Sequence, residues 1–233
     1  MGRGKSGKTL WARWLTEAMR ARGVNPGVVD ADTDDGGLCR YEEDAARLRG
    51  DDGEEVEWWN AVLADSEDRS GRPVVADCSH NPGLLDRVHT DATGFRDRDF
   101  RGPYAEIGFE VTKAYFFAPD AGDADAFVTN GAPFTTTNTL LVLNEGAPGE
   151  RGERQFDSVL AHPAVRKAIE HGAHVARMPR LGENHREIER LIGFAKGEVQ
   201  RPDVLAFQRV RTRTWLERME AGFLPFSREL GLG

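Results

Sequence analysis

The chain predicts an α/β fold: a mostly parallel β-sheet with helices on both faces. Three observations carry the prediction. Short apolar runs of strand length alternate with segments of helical periodicity. Two of those runs, around Val28-Val29-Asp30 and Val74-Val75-Ala76-Asp77, end in carboxylates, as strands do when they deliver acids to one edge of a sheet. Residues 2–9 read Gly-Arg-Gly-Lys-Ser-Gly-Lys-Thr, a glycine-rich turn that leads straight into a helical pattern.

That first helix is marked by Leu10, Trp14, Leu15, Ala18 and Met19 at helical spacing, with Gly23 as its stop. Gly27–Asp32 reads as a short buried strand. The polar stretch 33–53 follows, with a helix expected around Arg40–Leu48. Val56–Ala64, carrying Trp58, Trp59, Val62 and Leu63, is helical. A turn at 70–73 leads into the strand Val74–Asp77. Residues 79–108 read as a loop with a helical turn near Leu84–Val88. Val111–Ala118 is a strand and Asp120–Phe127 a helix start. Thr139–Asn144 is a continuous apolar run suited to a parallel sheet covered on both faces. Phe156–His171 reads as one helix stopped by Gly172, and His174–Met178 as a strand closed by Pro179. From Glu187 onward the pattern is helical. The expected organisation is a single domain over 1–233, with 187–233 a helical C-terminal extension packed on it.

The pattern at 2–9 has the form G-x-x-x-x-G-K-[ST], the phosphate-binding loop. Gly2, Gly4 and Gly7, with Lys5 and Ser6 between them, turn backbone N–H groups toward a di- or triphosphate, and the following helix adds its positive end. Lys8 is expected to reach the β- and γ-phosphates and the Thr9 hydroxyl to hold Mg²⁺. Asp77 is the candidate for the acid that holds Mg²⁺, directly or through water. Asp30 and Asp32 lie at the corresponding end of the neighbouring strand. Such a loop ordinarily leaves the end of a buried strand, and only Met1 precedes it here. An upstream stretch of about five or six apolar residues is therefore expected to complete the sheet.

Composition narrows the function classes. Hydrophobic residues make up 39% of the chain and charged residues 30%. No apolar run approaches the roughly 18 residues of a membrane-spanning helix, and no leader is visible, so the cytoplasm is the expected location. Cys39 and Cys78 are too few for a disulfide framework, and no C-x-x-C pattern occurs. The net charge of −8 is unevenly spread: residues 1–150 carry 16 Lys/Arg against 28 Asp/Glu, and residues 151–233 carry 15 against 11. An acidic first part repels DNA and anionic lipid, which leaves the C-terminal third as the only place for such contacts.

Three pieces together resemble the ParA/MinD-type ATPases, a class of P-loop ATPases with a deviant phosphate loop: GRGKSGKT at 2–9, VVDADTDD at 28–35 and VVAD at 74–77. LLVLNEG and RMPRL are weaker echoes, and the likeness spans about residues 1–182. The resemblance implies ATP and Mg²⁺ as cofactors, with Lys8 and Thr9 on phosphate and metal. It implies that Asp32 orients the attacking water and assists at the metal, that Asp77 holds Mg²⁺ through water, and that Asn144 and Pro179 border the adenine. Family members carry an early Lys that crosses a homodimer to the partner's phosphates; Arg3 stands there in this chain, and Lys5 stands where glycine is usual. Arginine keeps the charge but presents a planar fork. The implied role is a conformational or assembly switch in plasmid maintenance, mobilisation or cargo positioning, with an unknown protein partner.

Two other functions stay open. A P-loop small-molecule or nucleotide kinase would use the same loop with a mobile lid, for which Arg96, Arg98 and Arg101 are candidates. A nucleotide-sensing scaffold would bind without turnover. Among smaller candidates, His171 and His174 are separated by a helix stop and are expected to point apart, and His80 is expected at the surface. Cys78 is expected to pack beside its strand. The C-terminal helix, with Phe207, Val210, Trp215, Leu216, Met219 and Phe223 among Arg209, Arg211, Arg213 and Arg218, is expected to pack its apolar stripe on the sheet.

Overall fold

The computed structural model describes residues 6–32, 37–48, 54–68, 71–78, 82–93, 99–130, 135–148, 152, 154–181 and 206–233. It is an α/β fold in which the described strands all pair in parallel. In chain order the elements are α1 (Lys8–Arg20), β1 (Gly27–Asp30), β2 (Ala46–Arg47), α2 (Glu55–Asp68), β3 (Val74–Asp77), α3 (Pro82–Thr93) and α4 (Arg101–Glu106). Then come β4 (Thr112–Phe117), α5 (Ala121–Asn130), β5 (Asn138–Asn144), α6 (Asp157–Ala161), α7 (Pro163–Glu170), β6 (His174–Met178) and α8 (Ala206–Phe223).

The strands form two three-stranded sheets, ordered β2-β1-β3 and β4-β5-β6. Register aligns the acid-bearing tips: Asp30 pairs with Asp77, and Asn144 with Met178. Strand residues alternate between two covered faces, which explains their near-continuous apolar runs. On one face Val28, Val75, Phe116, Leu140, Val142 and Met178 share a single core with Trp11, Trp14 and Leu15 of α1 and Trp215 and Met219 of α8. On the other, Tyr115, Phe117, Leu141 and Leu143 pack against Phe127, Val159 and Val165 of α5–α7. There too Val29 and Ala31 meet Trp59 of α2 and Leu84 and Val88 of α3. One core under α1 thus spans both sheets.

Three expectations are corrected. Residues 40–48 are not a helix but a set of turns leading into β2. Long-range contacts hold that path: Asp30 Oδ2 accepts from Cys39 N at 2.8 Å, and Arg20 bridges Glu42 at 2.6 Å and Asp44 at 3.0 Å. β2 itself pairs with β1. The single helix expected over 156–171 is two, because His162 is extended (φ −63°, ψ 132°) and Pro163 opens α7. Proline disfavours helical backbone in the residue before it and is pre-set for the first helical turn. Within 79–108, the helical turn near 84–88 belongs to a full helix, α3, and α4 follows. The expectations for His80, Arg96 and Arg98, and for the helix between 187 and 205, lie outside the described residues.

The C-terminal helix packs through only part of its apolar stripe. Thr212, Trp215, Met219 and Phe223 are buried, while Phe207 and Val210 are exposed. Trp215 Nε1 donates to the Pro179 carbonyl at 2.8 Å, tying α8 to the end of β6. Among the described residues, no helix is long and apolar enough to cross a membrane.

Candidate functional site

The residues of the glycine-rich turn that the structure describes, Ser6–Thr9, meet the tips of three strands at one place. Gly7 caps α1 in the left-handed region, at φ 87°. A β-carbon there would sit 2.5 Å from Asn144 Nδ2, so glycine is required both for backbone conformation and for space. Asn144, the last residue of β5, explains the closeness. Its Nδ2 donates to the Ser6 carbonyl at 2.7 Å, and its Oδ1 accepts from Gly146 N at 2.8 Å. One side chain thus clamps the turn to the segment after β5.

The next two residues of α1 reach the acids. Thr9 Oγ1 donates to Asp77 Oδ2 at 2.6 Å, joining the start of α1 to the tip of β3 across 68 residues of sequence. Lys8 is only 7% exposed, and its Nζ donates to Ser6 Oγ at 3.2 Å. Burial lowers the Lys8 pKa, while the charges of Asp77, Asp32 and Asp123 act in the opposite sense. Asp32 is buried beyond β1. Its position is set by Asp30, whose Oδ1 accepts from Asp32 N at 3.1 Å and whose Oδ2 accepts from Cys39 N. Asp30 therefore shapes the loop and offers its carboxylate to backbone. Gly37, on the far side of that loop, lies so close to Thr9 that a β-carbon would stand 3.3 Å from Thr9 Oγ1.

The structure thus brings Ser6, Gly7, Lys8, Thr9, Asp32, Asp77 and Asn144 together. Pro179 follows β6, and its carbonyl is taken by Trp215. Gly2, Arg3, Gly4 and Lys5 lie outside the described residues. Asp123 was missed by sequence reasoning. It is 2% exposed in the first turn of α5, and its Oδ2 accepts from Ala118 N at 2.6 Å. Its position after β4, another strand reaching the same edge, was the available signal.

The donor set suits a phosphate with a hard cation: an ammonium, a hydroxyl, and carboxylates at the amino end of a helix. Elsewhere the smaller candidates separate. Arg101 is engaged with Asp99 at 2.7 Å. His171 Nδ1 lies 2.7 Å from the Lys167 carbonyl, whereas His174 stacks near Phe226. Cys78 is half-buried against the core beside β3, and burial raises its thiol pKa. No protein-family model matches the chain, and no curated protein matches it.

Proposed function

We propose that this chain binds a nucleoside triphosphate, ATP, with Mg²⁺ and hydrolyses it as a conformational or assembly switch of the ParA/MinD type. The observation that supports this most is the Thr9–Asp77 hydrogen bond of 2.6 Å beside buried Lys8. It joins the start of α1 to the tip of β3, which lie 68 residues apart in sequence. Lys8 would bind the β- and γ-phosphates; burial lowers its pKa, and the charges of Asp77, Asp32 and Asp123 act in the opposite sense. Thr9 and Asp77 would hold Mg²⁺, which when bound neutralises phosphate charge. Asp32, buried beyond β1, would orient the attacking water. Asn144 would keep the turn in its binding shape by holding the Ser6 carbonyl. The biological setting proposed is plasmid maintenance, mobilisation or cargo positioning in the cytoplasm, with a homodimer across the nucleotide and a protein partner.

The test is phosphate release from Mg-ATP by purified protein with no acceptor present. The expected result is release above the enzyme-free rate, reduced at least about tenfold by Asp77→Ala. Release that appears only when a small-molecule acceptor is added would assign the site to a kinase instead. Saturable nucleotide binding without release in either condition would leave a sensor.

A further inference from the structure

Residues 37–45 run along one side of α1 from its first turn to its last. Thr9, Arg13, Glu17 and Arg20 recur at spacings of four, four and three, which stacks them on one face of the helix. The segment meets that face in order. Gly37 stands against Thr9, since a β-carbon on it would lie 3.3 Å from Thr9 Oγ1. The Arg13 guanidinium stacks over the Tyr41 ring, 3.9 Å from its centroid. Arg20 donates to Glu42 at 2.6 Å and to Glu17 at 2.8 Å through one nitrogen, and to both oxygens of Asp44 at 3.0 Å through another. Leu38 is fully buried in the core under α1. Consecutive turns stiffen the path: Tyr41 N and Glu42 N donate to the Leu38 carbonyl at 2.9 and 3.0 Å, and Ala45 N to the Glu42 carbonyl at 3.1 Å. Glu42 is only 6% exposed, and a carboxylate buried that far is costly unless a cation is held against it.

We infer that Arg20 is a positioning residue for the candidate site: by gripping Glu42 and Asp44 it holds residues 37–45 against α1, and through them it sets the Thr9 hydroxyl and the Asp30–Asp32 pair. Arg20 acts from a distance, about 16 Å along the helix from Thr9. At the site end the segment completes two arrangements. Gly37 limits the room around the Thr9 hydroxyl, which donates to Asp77. Cys39 N donates to Asp30 Oδ2 at 2.8 Å, and the other Asp30 oxygen receives Asp32 N at 3.1 Å. Asn144 holds the Ser6 carbonyl from β5, outside this path. Loosening the segment therefore disturbs Thr9 and Asp32 while leaving the clamp on the turn in place. What those groups act on rests on the Mg-nucleotide reading above, whereas their dependence on Arg20 does not. Under that reading Arg20 governs turnover more than substrate binding.

The experiment compares the full chain with Arg20→Met, Arg20→Lys and the double variant Arg20→Met/Glu42→Gln, which opens the grip without leaving a buried carboxylate unpaired. Amide hydrogen exchange is read without nucleotide at Asp32 and Cys39, whose N–H groups both end on Asp30, with Leu141–Leu143 of β5 as the reference. Exchange at Asp32 and Cys39 is expected to quicken at least about tenfold in Arg20→Met and in the double variant, with the reference unchanged. Arg20→Lys, which keeps the charge but not the fork, is expected to stay within about threefold of the parent. With Mg-ATP, kcat is expected to fall at least about tenfold in the double variant and KM to change less than about threefold. Parent-like exchange at Asp32 and Cys39 in the double variant overturns the inference. Equal quickening at Leu141–Leu143 also overturns it, since Arg20 would then serve only global stability. So does a rise in KM with kcat unchanged. Local quickening in a protein that binds no Mg-ATP upholds the positioning role while removing the proposed function.

Discussion

Gly7 and Asn144 show how closely the candidate site is built. The backbone at Gly7 (φ 87°) is open to glycine at no steric cost and charges other residues about 1–2 kcal/mol. A methyl group there must also displace the Asn144 amide from the Ser6 carbonyl. Gly7→Ala is therefore expected to lower stability by about 2–3 kcal/mol, read as a fall in the urea midpoint, and to abolish nucleotide binding. Unchanged stability would mean the turn relaxes freely. Lys113 offers a second test. It is 9% exposed in β4, and burial pushes its pKa down to about 8. It lines a cavity together with Lys8, Asp77, Glu110, Arg228 and Glu229. The folded pKa lies below the unfolded value, so between about pH 8 and 10.5 the unfolded chain holds more protons and stability rises with pH. Below that window the full cost is present. Lys113→Met is expected to stabilise the protein at pH 7 by about 2–3 kcal/mol and to flatten the rise, measured by denaturant titration at pH 7 and 10. At this scale sequence and structure agree on Lys8, Thr9 and Asp77, whose chemistry follows from residue type and spacing. The clamp by Asn144 was not legible, because its partner Ser6 is 138 residues away.

Elements with their own stop and start residues were readable from the chain. α1 stops before Gly23, which sits at φ 79°, and β5 follows the uninterrupted apolar run Leu140–Leu143. The break between α6 and α7 was missed: Pro163 marks it, but the apolar periodicity that suggested one helix continues across it. Residues 40–48 were not readable, since Arg20, Asp30 and a parallel partner strand hold them and none is local. The C-terminal helix combines both cases: its helical period was plain, but which apolar residues pack was decided by the elements beneath. Trp215, Met219 and Phe223 enter the core with Trp11 and Trp14 of α1, while Phe207 stays 68% exposed. Met219 is fully buried in that core. Met219→Ala is expected to cost about 2–5 kcal/mol by leaving a cavity, and Phe207→Ala to change stability by less than about 0.5 kcal/mol. Comparable losses from both, in chemical denaturation, would mean that α8 is held by its exposed end rather than by the core.

Across the whole molecule, all described strand pairs are parallel, and the tips of β1, β3 and β5 bring Asp30, Asp77 and Asn144 to one edge. α1 ties both sheets together because its core-facing residues meet β1, β3, β4 and β5 in one cluster. That arrangement is why a glycine-rich turn at the start of α1 finds acids from distant parts of the chain. The parallel α/β class was legible from alternating strand and helix patterns; the division of the described strands into two sheets was not, since strand pairing is set by contacts far apart in sequence. The central claim is that this convergence binds Mg-nucleotide through Lys8. The most direct measurement is calorimetric titration of Mg-ATP into the protein and into Lys8→Ala, with circular dichroism confirming that both are folded. Saturable binding by the parent chain, weakened at least about tenfold by Lys8→Ala, is the predicted result. No binding by the folded parent chain, or equal binding by both proteins, would contradict it.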